Sequence, residues 1–228
     1  MTQDTFTDVV VVGAGPAGMT AASCLAESGV RVLVLDENSA PGGQVYRNVE
    51  KVTDKRSADL TVLGSDYRDG SKPVNRLHSS GAQYWPGTSV WEISAAEEPA
   101  LAVGVVRDGR VRMIESGHIV LATGAMERAT PFPGWTLPGV MTVGAAQSLL
   151  KSSGLVPNGR IAVAGSGPLL YLYGSQLIKA GTKPEAILDM RPRASFQAKL
   201  SVTAALTLDP GTIFQGLRWI REAQREVR

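Results

Sequence analysis

The fold is decided by residues 8–37, which read DVVVVGAGPAGMTAASCLAESGVRVLVLDE. The unbroken apolar run 9–12 is typical of a strand that is buried on both faces of a parallel sheet. Pro16 suits the first turn of a helix, apolar residues then recur at helical spacing, and Gly29 supplies a C-terminal cap. A second apolar run, residues 30–35, ends at two acids. The stretch therefore predicts one βαβ unit of about 30 residues.

The turn between this strand and this helix has the spacing of a dinucleotide-binding loop. Gly13 would make the tight turn, Gly15 leaves room for a pyrophosphate, and Gly18 lets the helix pack closely on the strand. Phosphates would face the free N–H groups at the helix start. Asp36 would accept hydrogen bonds from the adenosine ribose. Because a carboxylate at this position repels a 2′-phosphate, the pattern favours FAD or NAD over NADP.

Two further segments bear on the choice between FAD and NAD. Residues 41–44 read PGGQ, and the paired Gly42 and Gly43 would let the backbone lie close to a flat ring, while the Gln44 amide can donate and accept at its edge. Residues 121–125, LATGA, indicate a buried strand that ends in a turn of small residues beside the cofactor. Because it follows the first glycine loop, the Gly-Gly-Gln segment favours FAD over NAD.

A second strand–turn–helix–strand pattern begins at Arg160. Its loop keeps Gly165 and Gly167 but has Leu170 at the third glycine position, and Asp189 occupies the place of the ribose acid. The turn and the approach of a phosphate are therefore expected to survive, while close helix packing is not. This loop is a candidate site for a second adenine nucleotide, NAD or ATP.

The rest of the chain is assigned more coarsely. We expect an FAD-binding domain over residues 1–140, with a β-hairpin insertion around 101–114, and a partial second nucleotide-binding domain over 141–228. An Asp-Gly pair at the centre of the insertion predicts its turn. Residues 48–72 carry mixed charge without a sustained period and are expected to be a loop-rich insertion. Residues from 191 onward are expected to be mainly helical.

Composition excludes several classes of protein. The chain has 228 residues, 43% of them hydrophobic, and a net charge of +2, which indicates neither a nucleic-acid nor a membrane surface. Cys24 is the one cysteine, so no disulfide framework, cysteine zinc site or dithiol redox pair is possible. We expect Cys24 to be a small core residue. No metal site is expected, no apolar run is long enough to span a bilayer, and no secretory leader is recognised, so the predicted location is cytoplasmic.

Five segments together resemble the flavoproteins with two dinucleotide-binding domains. They are the first glycine loop, Gly-Gly-Gln with the following Tyr-Arg, residues 121–128 (LATGAMER), residues 133–140 (PGWTLPGV) and residues 164–170 (AGSGPLL). Within that group the sequence is most similar to the FAD-containing A or alpha subunits of heteromeric amine dehydrogenases. These include opine oxidase, hydrogen cyanide synthase, and proline or hydroxyproline dehydrogenases.

The resemblance implies an α/β fold, a Rossmann-like FAD-binding domain with a partial second dinucleotide-binding βαβ domain. It implies a subunit that handles electrons in the oxidation of an amine, imino acid or opine, together with a second flavoprotein subunit. It identifies no catalytic residue. The FAD contacts that it implies are Gly13, Gly15, Pro16, Ala17, Gly18, Asp36, Glu37, Gly42, Gly43, Gln44, Arg47, Thr123 and Gly124.

Two alternatives stay open. Similar chains continue after the second domain and return to the first, so we expect this sequence to be C-terminally truncated, and it could bind a nucleotide without turnover. A thioredoxin-reductase-like flavoprotein would share the glycine loops, but it needs a cysteine pair, and Cys24 stands alone.

Overall fold

The computed structural model describes residues 5–56, 58–96, 101–191 and 210–227. These form an α/β protein of two compact units. The first contains residues up to Leu60 and Gly64–Met126, and the second contains Thr61–Leu63 and the chain from Glu127. The predicted fold class is confirmed, whereas the division into two nucleotide-binding domains at residues 140/141 stays a prediction.

The first unit is built on a mixed six-stranded sheet with the order β3-β2-β1-β6-β5-β4. Strands β3, β2, β1 and β6 are parallel, and β5 and β4 extend the sheet as antiparallel neighbours. The strands are β1 (Thr5–Val12), β2 (Val32–Leu35), β3 (Gln83–Trp85), β4 (Thr88–Ala95), β5 (Leu101–Arg107) and β6 (Arg110–Leu121).

The core of this unit explains why the first two strands read as unbroken apolar runs. All four residues of β2 are buried, and Val10 of β1 lies opposite Leu33. Val10 and Leu33 share one buried cluster with Val103, Val105 and Ile114 of the antiparallel strands. Residues 9–11 of β1 and all of β2 are thus shielded from water on both faces of the sheet, as the runs predict.

The hairpin predicted from the Asp-Gly pair is present between β5 and β6. Asp108 and Gly109 have φ values of 52° and 70°, the left-handed conformation that a tight hairpin turn needs at both central residues. Trp91 of the neighbouring strand covers Gly104, where an added Cβ would lie 2.7 Å from the Trp91 Cε2 atom. The antiparallel strands therefore form an ordered extension of the parallel sheet.

The expectation of a loop-rich segment at residues 48–72 is wrong. The chain there forms three short helices, α2 (Val49–Lys55), α3 (Asp59–Leu63) and α4 (Ser65–Arg68). Val49, Val52 and Tyr67 are buried. Helices of four to seven residues are too short to show a sustained period, and helices of this length depend on tertiary packing.

Two longer helices complete the first unit, α1 (Pro16–Glu27) and α5 (Ser71–Ser79). The buried face of α1 is formed by Gly18, Met19, Ala22 and Ser23. Cys24 lies one residue beyond this face and is exposed, with its Sγ atom 3.4 Å from a guanidinium nitrogen of Arg76. The expectation that Cys24 belongs to the core is therefore wrong, because each helical residue turns about 100° from the last.

The second unit contains the second βαβ pattern. Its elements are α6 (Val143–Ser153), β7 (Ala162–Gly165), α7 (Pro168–Lys179), β8 (Ala186–Asp189) and α8 (Pro210–Glu226). Strands β7 and β8 are parallel, and α8 packs on α7, where the Ser175 hydroxyl donates to Glu222 at 2.5 Å. Helix α8 lies in the predicted helical region, of which residues 192–209 are outside the described residues.

In the described part of the chain, no helix combines the length and apolar character needed to cross a bilayer. The predicted cytoplasmic location and the absence of a nucleic-acid partner stay predictions.

The close contact of α1 with β1 generates the first testable expectation. A Cβ added at Gly18 would overlap the carbonyl oxygen of Gly13 and lie 3.1 Å from Ala122 Cβ. We expect Gly18→Ala to lower the free energy of unfolding by about 1–3 kcal/mol, because backbone must move to admit the methyl group. Chemical denaturation measures this change.

Gly216→Ala is the matched control, since none of the described residues has an atom within 4 Å of an added Cβ at that helical glycine. It should stabilise the protein by up to about 1 kcal/mol through helix propensity. Equal effects of the two substitutions would contradict the assigned packing.

Candidate functional site

The candidate site lies where β1 and β2 end and the glycine loop begins. Gly13 has a φ of 101°, and an added Cβ would overlap the carbonyl oxygen of Ala122. The Gly13 N–H donates to Leu35 at 2.7 Å, and the Ala122 N–H donates to Val12 at 2.8 Å. The ends of β1, β2 and β6 are therefore joined around one glycine.

Gly15 differs from Gly13 and Gly18 because packing within the protein does not require a glycine there. Its φ of −73° and ψ of −179° are open to any residue. Within the described part of the chain, an added Cβ would have one neighbour, Gly43 Cα, at 3.9 Å. A side chain would instead fill the space in front of the helix start. This open cradle fits a dinucleotide pyrophosphate.

The start of α1 offers hydrogen-bond donors to an anion. Gly15 provides no side-chain cap, the first turn contains no acidic residue, and Pro16 has no N–H. The first i→i−4 bond of the helix runs from the Met19 N–H to Gly15 at 2.9 Å. The N–H groups of Ala17 and Gly18 precede that bond and are placed to donate to phosphate oxygens.

The Gly-Gly-Gln segment is brought against the glycine loop. The Gly42 N–H donates to the Ala14 carbonyl at 2.8 Å. Gly43 has a φ of 58°, and a Cβ added there would lie 2.8 Å from Gly15 Cα. Two segments that are distant in the sequence thus meet through backbone atoms, and Gln44 beside them is exposed.

Asp36 is bound to the loop rather than open to solvent. It is 5% exposed, and its Oδ2 accepts a hydrogen bond of 2.6 Å from the Ala14 N–H. Its Oδ1 accepts from the backbone N–H and the side-chain amide of Asn38, at 2.7 and 2.9 Å. Glu37, the next residue, is exposed. Of the two acids, Glu37 is therefore the one with a carboxylate open to a ligand.

Arg47 and Asn38 form a contact that sequence reasoning missed. The Asn38 Oδ1 atom accepts from an Arg47 guanidinium nitrogen at 3.1 Å. The buried Nε of Arg47 has no hydrogen-bond partner among the described residues. Tyr67, whose pKa burial raises to about 12, donates its hydroxyl to the Arg47 carbonyl at 2.5 Å. The sequence signal for Asn38 was its position two residues after an Asp, which is typical of an Asx turn.

The third predicted segment follows β6 into an exposed turn. Ala122 contacts the glycine loop, and Thr123 and Gly124 after it are exposed. Gly124 has a φ of 72°, and no atom lies within 4 Å of an added Cβ. The structure therefore places this turn beside Gly13 with its surface open.

The second glycine loop shares the open backbone of the first but packs differently. No atom of the residues that the structure describes lies within 4 Å of a Cβ added at Gly165 or Gly167. Leu170, at the third glycine position, is 3% exposed. Close helix–strand packing is nevertheless present, because a Cβ added at Gly174 would lie 2.6 Å from the Ile187 Cδ1 atom. The expectation that close packing is lost is wrong, since the small residue stands one turn later in the helix.

The acid of this second loop is held by its own neighbours. The Tyr171 hydroxyl donates to Asp189 Oδ2 at 2.6 Å, and Arg191 donates to both carboxylate oxygens, the shortest bond being 2.5 Å. The Arg191 guanidinium, and then the Tyr171 hydroxyl, hold the pKa of Asp189 well below its usual range. Asp189 is therefore already paired with a cation.

No group of three or more potential metal ligands occurs among the described His, Cys, Asp and Glu side chains. His78 lies 3.2 Å from a carboxylate oxygen of Glu50 on the surface. His78 is accounted for by this pair.

Three joined strand ends, a glycine loop with an open cradle and an uncapped helix start define a dinucleotide-binding protein of the Rossmann type. The sequence profile of the pyridine nucleotide-disulphide oxidoreductase family matches residues 7–208, and the chain belongs to this family.

Known proteins agree with the resemblance seen in the sequence. The chain is 42% identical over 213 residues to a subunit of opine oxidase from Rhizobium meliloti, covering 92% of this chain and 45% of that protein. It is 36% identical over 208 residues to hydrogen cyanide synthase subunit HcnB of Pseudomonas aeruginosa, covering 91% and 43%. The predicted similarity to these subunits is confirmed. The chain spans less than half the length of both relatives.

The fold also occurs in a solved structure. The crystal structure of L-proline dehydrogenase from P. horikoshii superposes with a TM-score of 0.66 and 22% sequence identity, covering 84% of this chain and 37% of that one.

The open cradle at Gly15 generates the second expectation. Gly15→Val would place a branched side chain in the space for the pyrophosphate. We expect FAD affinity to fall about tenfold or more, while the free energy of unfolding without ligand changes by no more than about 1 kcal/mol. Fluorescence titration and chemical denaturation measure the two quantities.

Gly18→Ala should instead lower mainly the free energy of unfolding, because the added methyl group overlaps the Gly13 backbone. If Gly15→Val binds FAD as tightly as the parent, Gly15 does not face the cofactor.

Proposed function

We propose that this chain is the FAD-binding part of a flavoprotein subunit that handles electrons in the oxidation of an amine, imino acid or opine. The observation that carries the proposal is the open cradle at Gly15, bordered by Gly43 of the Gly-Gly-Gln segment. No packing contact with the described residues accounts for glycine at position 15, whereas a bound pyrophosphate would. Membership of an oxidoreductase family supports a redox role.

The residues divide into four groups by what they would do for FAD. The N–H groups of Ala17 and Gly18 and the guanidinium of Arg47 would bind the phosphates, and the exposed Glu37 would accept from the ribose. Asp36 would hold the glycine loop in shape through Ala14. FAD would supply an acceptor for two electrons. The predicted contacts Gln44, Thr123 and Gly124 are exposed and are assigned to the flavin ring side.

The substrate class and the partner are proposed from the relatives. Both the opine oxidase relative and HcnB are named as subunits of larger enzymes. We infer that this chain likewise works beside a second flavoprotein subunit of a hetero-oligomer. We assign no catalytic role to any side chain of this chain, because the substrate would be oxidised on the other subunit.

A disulfide reductase is the main rival, because the family contains such enzymes. Turnover of a disulfide on this scaffold needs two cysteines, and the chain has Cys24 alone. Its thiol lies on the outer side of α1 beside Arg76, away from the glycine face of that helix. A chain that binds FAD without any electron transfer is the second rival.

The test begins with the visible spectrum of the purified chain after addition of FAD. We expect a bound flavin spectrum and saturable fluorescence quenching, both unchanged in Cys24→Ser because that thiol has no redox partner. Anaerobic addition of opines or proline, with the proposed partner subunit present, should bleach the flavin band.

Absence of FAD binding would overturn the whole proposal. Binding without bleaching by any of these substrates would leave the second rival, and loss of flavin reduction in a folded Cys24→Ser variant would favour the disulfide reductase.

The second glycine loop is proposed as a site for an adenine nucleotide, NAD or ATP. Support comes from the open backbone at Gly165 and Gly167 and from an α7 start with neither a side-chain cap nor an acid. Since Asp189 is already paired with Arg191, a ribose would have to compete for it. We therefore expect weaker binding here than of FAD at the first loop.

Leu169→Glu and Leu169→Gln test this second site as a matched pair. Leu169 lies in the first turn of α7 and is 36% exposed. A carboxylate there stabilises the helix start but repels phosphate, so calorimetric titration should show nucleotide affinity reduced by Glu and retained by Gln. FAD affinity should not change in either variant. Equal affinity in the two variants, or no heat with either nucleotide in the parent, would contradict the site.

A further inference from the structure

Asn38 is the centre of a hydrogen-bond network that joins the glycine loop to Arg47. Its backbone N–H and its side-chain amide both donate to Asp36 Oδ1. Its Oδ1 accepts from Arg47 at 3.1 Å, and its carbonyl accepts from the Gly87 N–H at 3.0 Å. Each polar group of this half-buried residue therefore forms a hydrogen bond to another residue.

One arm of the network leads to the phosphate loop. Asp36 is buried, so its carboxylate is stable only while donors surround it. Those donors are the two groups of Asn38 and the Ala14 N–H, which lies between Gly13 and Gly15. Removing the Asn38 side chain would take one donor from the same carboxylate that fixes the loop.

The other arm leads to Arg47, whose guanidinium donates to the neutral amide oxygen of Asn38. In the described residues Arg47 forms no ion pair, and its buried Nε has no hydrogen-bond partner. Arg47 stands four residues after Gly43, which touches Gly15. A neutral amide oxygen thus fixes the guanidinium without cancelling its charge, and a neighbouring anion would meet the full positive charge.

We propose that Asn38 is the residue that positions Arg47 for the phosphates of the dinucleotide, acting as a neutral clamp between that arginine and the Asp36–Ala14 bond. This inference rests on the proposed binding of FAD. It explains why an amide rather than a carboxylate follows Asp36 and Glu37: a third acid would neutralise Arg47 and repel Asp36. Asn38 acts through Arg47 and is a positioning residue, not a catalytic one.

A double-mutant cycle on the full chain tests the clamp. Asn38→Ala and Arg47→Ala should each weaken FAD binding about tenfold, as expected for a hydrogen-bonded charge that is lost or misplaced. The double variant should lose clearly less than the product of the two single effects, because the part of the Asn38 effect that acts through Arg47 is then already absent. Ser39→Ala, at the exposed neighbouring position, should leave FAD affinity unchanged.

The salt dependence of FAD affinity separates positioning from a general loss of structure. Parent affinity should fall as salt rises, and this dependence should flatten in both Asn38→Ala and Arg47→Ala, since the first substitution displaces the charge at the phosphates and the second removes it. The nearly isosteric Asn38→Asp keeps an acceptor for Arg47 but neutralises it, so it should also weaken binding and flatten the dependence. This variant serves if Asn38→Ala does not fold.

The outcomes distinguish this inference from the proposed function. If the parent chain binds no FAD, the proposed function fails first. If the parent binds FAD while the two alanine effects multiply to about a hundredfold, or while Asn38→Asp matches the parent in affinity and salt dependence, the clamp is overturned and FAD binding stands.

Discussion

The hydrogen bond from the Ala14 N–H to the Asp36 carboxylate is the interaction on which the geometry of the site depends. A carboxylate that is 5% exposed is costly unless its oxygens accept hydrogen bonds, and here the donors come from the glycine loop and from Asn38. The requirement works in both directions. The hydrogen bond holds the loop in one conformation. It also stabilises the charged form of the buried Asp36 side chain, because the Ala14 N–H replaces a bond to water. The end of β2 thereby sets the position of the helix start that faces the ligand.

The two βαβ units show what this bond contributes, because the second unit lacks it. Asp189 stands at the same place in the pattern but is paired with Tyr171 and Arg191, residues of its own unit. No bond between the acid and its glycine loop is present among the contacts of Asp189 with described residues. Two similar sequence patterns therefore produce different electrostatics. In the first unit the exposed Glu37 carboxylate lies next to Asp36, which is hydrogen-bonded to the glycine loop. In the second unit the Asp189 carboxylate is paired with the Arg191 guanidinium.

The sequence was sufficient wherever one local pattern determined the outcome, and insufficient wherever tertiary contacts did. Residues 8–37 predict their strand, turn, helix and second strand because apolar period, glycine spacing and the final acid agree. The short helices of residues 48–72 were not predicted, because they are stabilised by burial of residues such as Val52 and not by a periodic pattern in the sequence. Cys24 was predicted to lie in the core, but it is exposed, one residue after the buried Ser23. The role of Asn38 depends on Arg47, nine residues away, and no pattern in the sequence marks that pair.

Glycines at three positions of one loop carry different information about function. Gly13 and Gly18 are required by contacts within the protein, with Ala122 and with each other, so they would be needed even in a protein that bound nothing. Gly15 has an ordinary conformation and open space in front of it. A glycine that neither backbone strain nor packing requires, placed at a helix start with free N–H groups, is explained by something outside the chain. Gly15 is therefore the strongest argument for a bound dinucleotide, because neither its backbone conformation nor its packing requires a glycine.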